Sequence, residues 1–467
     1  MDIGALLRRG ALALEAPAPE LHAARQETRH HVPSDSRRSD LAHARAAKAI
    51  CAATTDTPAR YVTPEPFTID VPERALADLD ERLRKWRRPV FVAAGAWDYG
   101  TEERFLKELI DYWQHGYDWR RCEAKINAFP NYLVDIGEQR LHFIREPGTP
   151  VQDAPAPLPL VLTHGWPGSI VEFLDIIDKL AHPERHGGDA LDSFDVIVPS
   201  LPGYGWSGPP IREGGAGPIG PRAIGRLWHR LLTESLNYRR PYVAQGGDWG
   251  AAVSTWLAHD HPVIETDGAK IGCQALHLNM MVFRPGLDEK TTLTPEETAW
   301  MNIVRAGRDA KTAYQRIQDT KPQSLGVALT DSPVGLAAWI VEKFQGWSDC
   351  GGDPRRRFSW DTLIDNIMVY WLNANMASAA WLYRGVREEG ARLAKGETVN
   401  TPTAFMAFPA DLAPPPPRAW VERAYGDLRR YSAMPSGGHF AALEEPDLLV
   451  EDIRAFCRPF RFGAAND

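Results

Sequence analysis

Gln245-Gly246-Gly247-Asp248-Trp249-Gly250 follows the apolar run 241–244 and precedes a stretch of helical pattern at 251–259. The hexapeptide has the small-residue spacing of a G-x-S-x-G turn, which lifts a nucleophile off the end of a strand, with Asp248 where the serine would stand. Glycines flank such a site because the strand-to-helix turn is too tight for side chains around a strained residue. On spacing alone a G-x-D-x-G string is a turn or helix cap more often than a nucleophile. The surrounding chain has to decide.

On either side of the hexapeptide lie short, nearly continuous apolar runs at 160–163, 194–198 and 242–245, separated by stretches of helical pattern. Buried strands alternating with helices imply an α/β fold with a mostly parallel sheet covered on both faces. Upstream, 132–136 and 139–144 read as a hairpin turning at Gly137, ahead of a Pro-rich linker at 147–159. Further back, 67–72 reads as a short strand and Pro72 opens a helix with Leu76, Leu79, Leu83 and Trp86 on one face. A second helix at 101–112 carries Phe105, Leu106, Leu109 and Ile110, so the pattern suggests a helical N-terminal lobe ending near residue 128.

Downstream, 294–387 is helical and Trp-rich, and strand-like sequence resumes at 403–408. A helical block inserted between two parts of an α/β core is how a cap over an active site looks in sequence. The expected organisation is a leader at 1–60, the lobe at 61–150, core at 151–285, cap at 286–395 and core again at 396–467. The leader is polar, Arg-rich and broken by Pro17, Pro19, Pro33 and Pro58. It reads as disordered, with a short helix around 40–53, and an over-extended start site is the competing explanation.

Composition narrows the function. Apolar content of 44%, charged content of 24% and a formal net charge of -8 are those of a globular protein and argue against nucleic acid as a partner. Five scattered cysteines without a C-x-x-C pair suggest reduced thiols in a cytoplasmic protein, and no metal-ligand cluster is evident. No apolar run approaches the roughly 20 residues that span a bilayer, so no membrane anchor is expected.

Two further motifs stand in the right order around Asp248. His164-Gly165-Trp166-Pro167-Gly168-Ser169 follows the first core strand, where a loop can supply one amide of an oxyanion hole while the residue after the nucleophile supplies the other. Those amides would be Trp166 and Trp249. Ser436-Gly437-Gly438-His439-Phe440 sits near the C-terminus, and its glycine surroundings single out His439 among fourteen histidines. An acid belongs between nucleophile and histidine; Asp411 follows the strand-like 406–409, with Glu422 and Asp427 as nearby alternatives on what read as exposed helical positions.

With these motifs, and with Trp97-Asp-Tyr-Gly-Thr, Phe129-Pro, Pro199-Ser-Leu-Pro-Gly-Tyr-Gly-Trp-Ser, Leu278-Asn-Met and Asp331-Ser-Pro-Val-Gly-Leu-Ala-Ala, the chain resembles the microsomal epoxide hydrolase family from about 64 to 462. The resemblance implies an α/β-hydrolase fold with Asp248 as nucleophile, His439 as base and Asp411 as the acid that orients it. It also promotes Tyr314 and Tyr383, otherwise ordinary amphipathic core residues, to the pair of cap tyrosines that hold the epoxide oxygen. It implies an ester intermediate on Asp248, no cofactor, a small apolar epoxide such as cis-stilbene oxide as substrate in detoxification or aromatic hydrocarbon catabolism, and a possible homodimer. The N-terminus departs from the anchored animal members. A haloalkane dehalogenase is the nearest rival, since it also uses an Asp nucleophile often followed by Trp; a catalytically silent relative that only binds ligands is another. The two tyrosines separate the first and a full set of competent residues the second.

The Trp-rich cap, with Trp339, Trp347, Trp360, Trp371 and Trp381, suggests an apolar pocket, although the same residues could form cap core.

Overall fold

Apolar runs buried on both faces become the central strands. In the computed structural model, which describes residues 62–92, 97–287, 290–390 and 392–461, nine strands form one sheet. They are β1 Glu65–Phe67, β2 Asn131–Ile136, β3 Gln139–Glu146, β4 Leu158–Thr163, β5 Phe194–Pro199, β6 Tyr242–Gly246, β7 Cys273–Leu278, β8 Thr403–Ala407 and β9 Leu428–Ala433. The order across the sheet is β1-β2-β3-β5-β4-β6-β7-β8-β9. From β5 to β9 all pairings are parallel, and β1, β2 and β3 join antiparallel at the edge. Every residue of β4, β5, β6 and β8 is buried, which is why these segments read as unbroken apolar runs rather than as an alternation. The leader at 1–60, its helix at 40–53 and Cys51 lie outside the described residues.

The lobe is tied to the core by those edge strands and packs three helices beside them: α1 Glu73–Arg84, α2 Glu103–His115 and α3 Trp119–Asn127. Two boundaries differ from the sequence reading. The strand expected at 67–72 lies earlier, because from Ile69 onward the main chain bonds to side chains of α3 instead of to a neighbouring strand. Ile69 exchanges two hydrogen bonds with the Asn127 amide, and the Val71 amide donates to Glu123. The second helix begins two residues later than expected, since Glu102 caps it by accepting from the Arg104 and Phe105 amides. It then runs on to bury Trp113.

Between β7 and β8 the chain builds five helices over the C-terminal ends of the strands: α4 Pro295–Thr320, α5 Pro322–Asp331, α6 Pro333–Trp347, α7 Trp360–Leu372 and α8 Met376–Glu389. A capping box between Thr294 and Glu297 starts α4, and Glu297 also pairs with Arg423 of the core. Tyr112 and Tyr117 of the lobe donate to Asp361 and Asp365 of α7, each at 2.8 Å. Trp360 packs on Phe105 and Tyr112, and Arg82 lies over Trp371, so these two tryptophans serve the lobe–cap seam. The Trp339 indole bonds to Gln318 within the cap. Among the described residues no single helix is long and apolar enough to cross a membrane, and Cys122, Cys273, Cys350 and Cys457 are free and buried.

Candidate active site

The β6 strand ends at Gly246 and a helix, Asp248–Asp260, begins on Asp248 itself, three residues before the expected helical stretch. Asp248 has φ of 45°, a left-handed conformation costing an Asp on the order of 1–3 kcal/mol. The neighbouring glycines make it attainable: a β-carbon at Gly246 would run into the main chain of Gly250, and one at Gly250 into Thr163. The carboxyl thus projects from the sheet edge beneath the cap, at 9% exposure.

Its two oxygens have different partners. Oδ1 accepts the Trp166 amide at 2.8 Å, and Oδ2 lies 3.4 Å from His439 Nε2. On the far side of the ring, His439 Nδ1 is 2.8 Å from Asp411 Oδ1, which also accepts the Leu412 amide at 2.6 Å. Ala410 and Gly438 form a main-chain bridge, and the His439 amide donates to the Trp347 carbonyl at 2.9 Å. Trp347 meets the imidazole edge to face at 4.9 Å. The acid loop is held from the cap as well: Lys311 donates to the Leu412 carbonyl at 2.9 Å and Trp300 to that of Pro414 at 2.8 Å, both from α4.

Burial disfavours a charge on His439, but Asp411 and Asp248 outweigh it and hold the imidazole well above its ordinary pKa. Esterification of Asp248 removes one of those two charges, so the ring loses part of its hold on a proton at the stage where a base is required. Tyr314 on α4 and Tyr383 on α8 lie with their hydroxyls 3.4 Å apart. Burial, reinforced for Tyr314 by Asp248 and for Tyr383 by Tyr314 and then Asp248, pushes both phenols up, so they stay neutral donors. Trp166 stacks on Tyr314 at 5.1 Å, and Trp249 meets Tyr383 edge to face at 5.0 Å.

Asp248, His439, Asp411, Tyr314, Tyr383, Trp166 and Trp249 therefore converge. Among the described residues only the Trp166 amide, of the two expected oxyanion donors, bonds to Asp248 in this conformation. Glu422 and Asp427 are elsewhere: Glu422 pairs with Arg418 along a short surface helix, and Asp427 pairs with Arg429 in the turn before β9, not on a helix. The sequence reading missed Glu172, which lines the same cleft as Asp248 and His439. Burial, with Asp248 adding and His439 opposing, pushes its carboxyl up to about 8. A lone acid inside the apolar run Ile170-Val171-Glu172-Phe173-Leu174 was the signal available. Of the cap tryptophans, Trp347 packs against His439 and Tyr314.

A nucleophile elbow at the end of a parallel strand, an acid loop and a histidine loop define an α/β-hydrolase. The family described as "alpha/beta hydrolase fold" matches residues 159–284, and "Epoxide hydrolase N terminus" matches 64–173. A Stigmatella aurantiaca (strain DW4/3-1) protein is 40% identical over 396 residues, covering 85% of each chain. Epoxide hydrolase 1 of Oryctolagus cuniculus is 34% identical over 419 residues, covering 84% of this chain and 88% of that one. The solved structure of Aspergillus niger epoxide hydrolase is similar with a TM-score of 0.69 at 30% identity, over 85% of this chain and 97% of that one. The chain belongs to the microsomal-type epoxide hydrolase family.

Proposed function

We propose that the protein converts an apolar epoxide and water to a vicinal diol through an alkyl ester on Asp248. The observation that carries this reading is the opposition of two neutral phenols, Tyr314 and Tyr383, to a carboxylate at a nucleophile elbow. A strained ring needs backside attack at carbon and a proton donor at the leaving oxygen. Asp248 supplies the first, and the tyrosines, neutral in the resting site at pH 7, supply the second; the phenol that gives up its proton recovers one from the second proton of the hydrolytic water once the ester is cleaved.

His439, oriented by Asp411, then takes a proton from water, and the water oxygen attacks the ester carbonyl carbon. The Trp166 amide, with that of Trp249 as second donor once the ester forms, stabilises the resulting oxyanion by roughly 3 kcal/mol per donor. Collapse releases the diol and restores Asp248. The mechanism divides the chain into lobe (61–150), core (151–285 and 396–467) and cap (286–395), and it uses no cofactor.

The aromatic walls formed by Trp166, Trp249 and Trp347 favour aryl epoxides such as cis-stilbene oxide, and with them a role in detoxification or aromatic hydrocarbon catabolism. We also infer a cytoplasmic protein that associates as a homodimer. A substrate panel and light scattering at several concentrations test these finer points.

The mechanism is tested by a single turnover in heavy-oxygen water with enzyme in excess. Unlabelled diol and label left on Asp248 are expected, because the transferred oxygen comes from the carboxylate. Label in the diol from the first turnover would show direct attack by water and overturn the ester mechanism.

A further inference from the structure

Tyr314 and Tyr383 act on the same site but are not equivalent. The Tyr383 hydroxyl donates to that of Tyr314 at 3.4 Å, and the Gln315 amide donates to the same Tyr314 oxygen at 3.1 Å. The Tyr314 oxygen is thus an acceptor twice over, whereas the Tyr383 oxygen accepts no hydrogen bond from the described residues. Donors aimed at a phenol oxygen favour its ionised form. Burial and then Asp248 hold Tyr314 protonated in the resting site, and the bonds from Tyr383 and Gln315 pull the other way. For Tyr383, burial, Tyr314 and Asp248 all oppose ionisation, and the bond it donates adds to them.

A buried cation completes the asymmetry. Lys343 on α6 is only 6% exposed, and its Nζ stands 4.6 Å from the centre of the Tyr314 ring and 5.3 Å from that of Trp339. An ammonium can donate three hydrogen bonds, yet among the described residues this one has a single acceptor, the carboxylate of Glu342 next to it in the chain. For packing alone an apolar side chain of the same length would serve, without the cost of burying a charge. A cation within about 6 Å of a ring centre is attracted by a neutral aromatic face. It is attracted far more by a phenolate, whose negative charge spreads into that ring, and exclusion of water keeps the difference from being screened.

We propose that Lys343, by holding a positive charge against the Tyr314 ring, makes Tyr314 the phenol that protonates the epoxide oxygen and leaves Tyr383 as a hydrogen-bond donor that keeps its proton. The inference rests on the epoxide hydrolase reading above. In the step, an Asp248 oxygen bonds to one epoxide carbon, the bond from that carbon to the epoxide oxygen breaks, and this oxygen takes the Tyr314 proton. One negative charge leaves Asp248 and one appears on Tyr314, so the total is unchanged and the charge comes to rest beside Lys343. Esterification also removes Asp248 as an obstacle to ionising Tyr314, which leaves Glu342 as the carboxylate that opposes it. The phenolate regains its proton from the hydrolytic water after the ester is cleaved. Lys343 touches neither substrate nor nucleophile in this scheme; it is a positioning residue that acts through Tyr314.

The test is a mutant cycle read in rapid-mixing experiments with a chromogenic epoxide, ester formation and breakdown being followed separately by quenching and intact-protein mass. Lys343→Met keeps an unbranched buried chain and removes the charge; Lys343→Arg restores a charge. Formation slowed about tenfold or more is expected in Lys343→Met and largely recovered in Lys343→Arg, with breakdown within about twofold of wild type in both. The same loss should appear when Lys343→Met is added to Tyr383→Phe, and less than about twofold when it is added to Tyr314→Phe, because the lysine then has no phenol to act on. An equal loss in the wild-type and Tyr314→Phe backgrounds would overturn the proposal, as would equal slowing of formation and breakdown, which marks a packing defect. If Tyr314→Phe forms ester too slowly to follow, the Tyr383→Phe background decides, since disappearance of the effect there would tie Lys343 to the wrong phenol. Should Lys343→Met not fold, Lys343→Gln takes its place in the cycle. Failure of the wild type to form any ester would refute the enzymatic reading instead, and the two failures are read from different samples.

Discussion

Ala410 and Gly438 bridge main chain to main chain, each one residue ahead of a member of the Asp411–His439 pair. The 2.8 Å contact between imidazole and carboxylate is therefore set by backbone register between two loops and not by the rotamers of two free side chains. This rigidity makes Asp411→Asn informative, because the amide can occupy the same place without the charge. Ester breakdown should fall on the order of 10³-fold, while ester formation changes little. The sign of the pH effect follows from Asp411 being a cause of the raised His439 pKa. Breakdown rises with pH as the imidazolium loses its proton, so in the variant that rise should occur at lower pH and reach a lower plateau. A rise displaced to higher pH would contradict the assignment.

His439→Gln should separate the half-reactions completely. The nucleophile and both phenols remain, so alkylation proceeds, and the missing base leaves the ester in place. Mass analysis should find one substrate equivalent on the peptide carrying Asp248. An unmodified protein after prolonged incubation with epoxide would exclude His439 as the base of the second step.

Tyr314→Phe and Tyr383→Phe each remove one donor to the epoxide oxygen. Each should slow ester formation by about 10–100-fold, and the double variant should nearly abolish it. Breakdown of any ester formed should change far less, because the phenols act on the epoxide oxygen while His439 and the Trp166 amide serve the ester carbonyl. Stopped-flow traces showing unimpaired alkylation in the double variant would remove the tyrosines from the mechanism.

Gly165→Ala places a β-carbon against the Asp248 carboxyl, whereas Gly346→Ala adds one in open space on a cap helix. The first should abolish ester formation with only a modest change in melting temperature. The second should leave activity intact and raise stability slightly, as helix propensity favours alanine. Equal activity in the two variants would mean the carboxyl can move aside.

The elbow, the buried parallel strands on either side of it and the inserted cap were legible because they rest on local rules: glycine where backbone crowds, apolar runs where both faces are buried. The end of the first strand was not, since nothing at Ile69 announces that Asn127, distant in sequence, will take the place of a partner strand. Asp427 was read as helical because its turn carries polar residues that suit either structure. Tyr314 and Tyr383 could be singled out only by family likeness, because a buried phenol looks the same in sequence whether it faces substrate or core. Glu172 escaped for a related reason. Its place in the cleft depends on the space left by Gly168, and that space exists only once the loop is folded.

Helix α4 carries Tyr314 and also grips the acid loop through Lys311 and Trp300, while Trp347 at the end of α6 takes the His439 amide. Swinging these helices outward would withdraw the proton donor, loosen the acid and unseat the base together. The cap is consequently part of the frame that holds the reactive groups. An enzyme framed in this way should discriminate among epoxides on entry, by girth as well as by reactivity. Slender and bulky epoxides of equal intrinsic reactivity should part company in how quickly they reach Asp248, and not in how fast their esters are released.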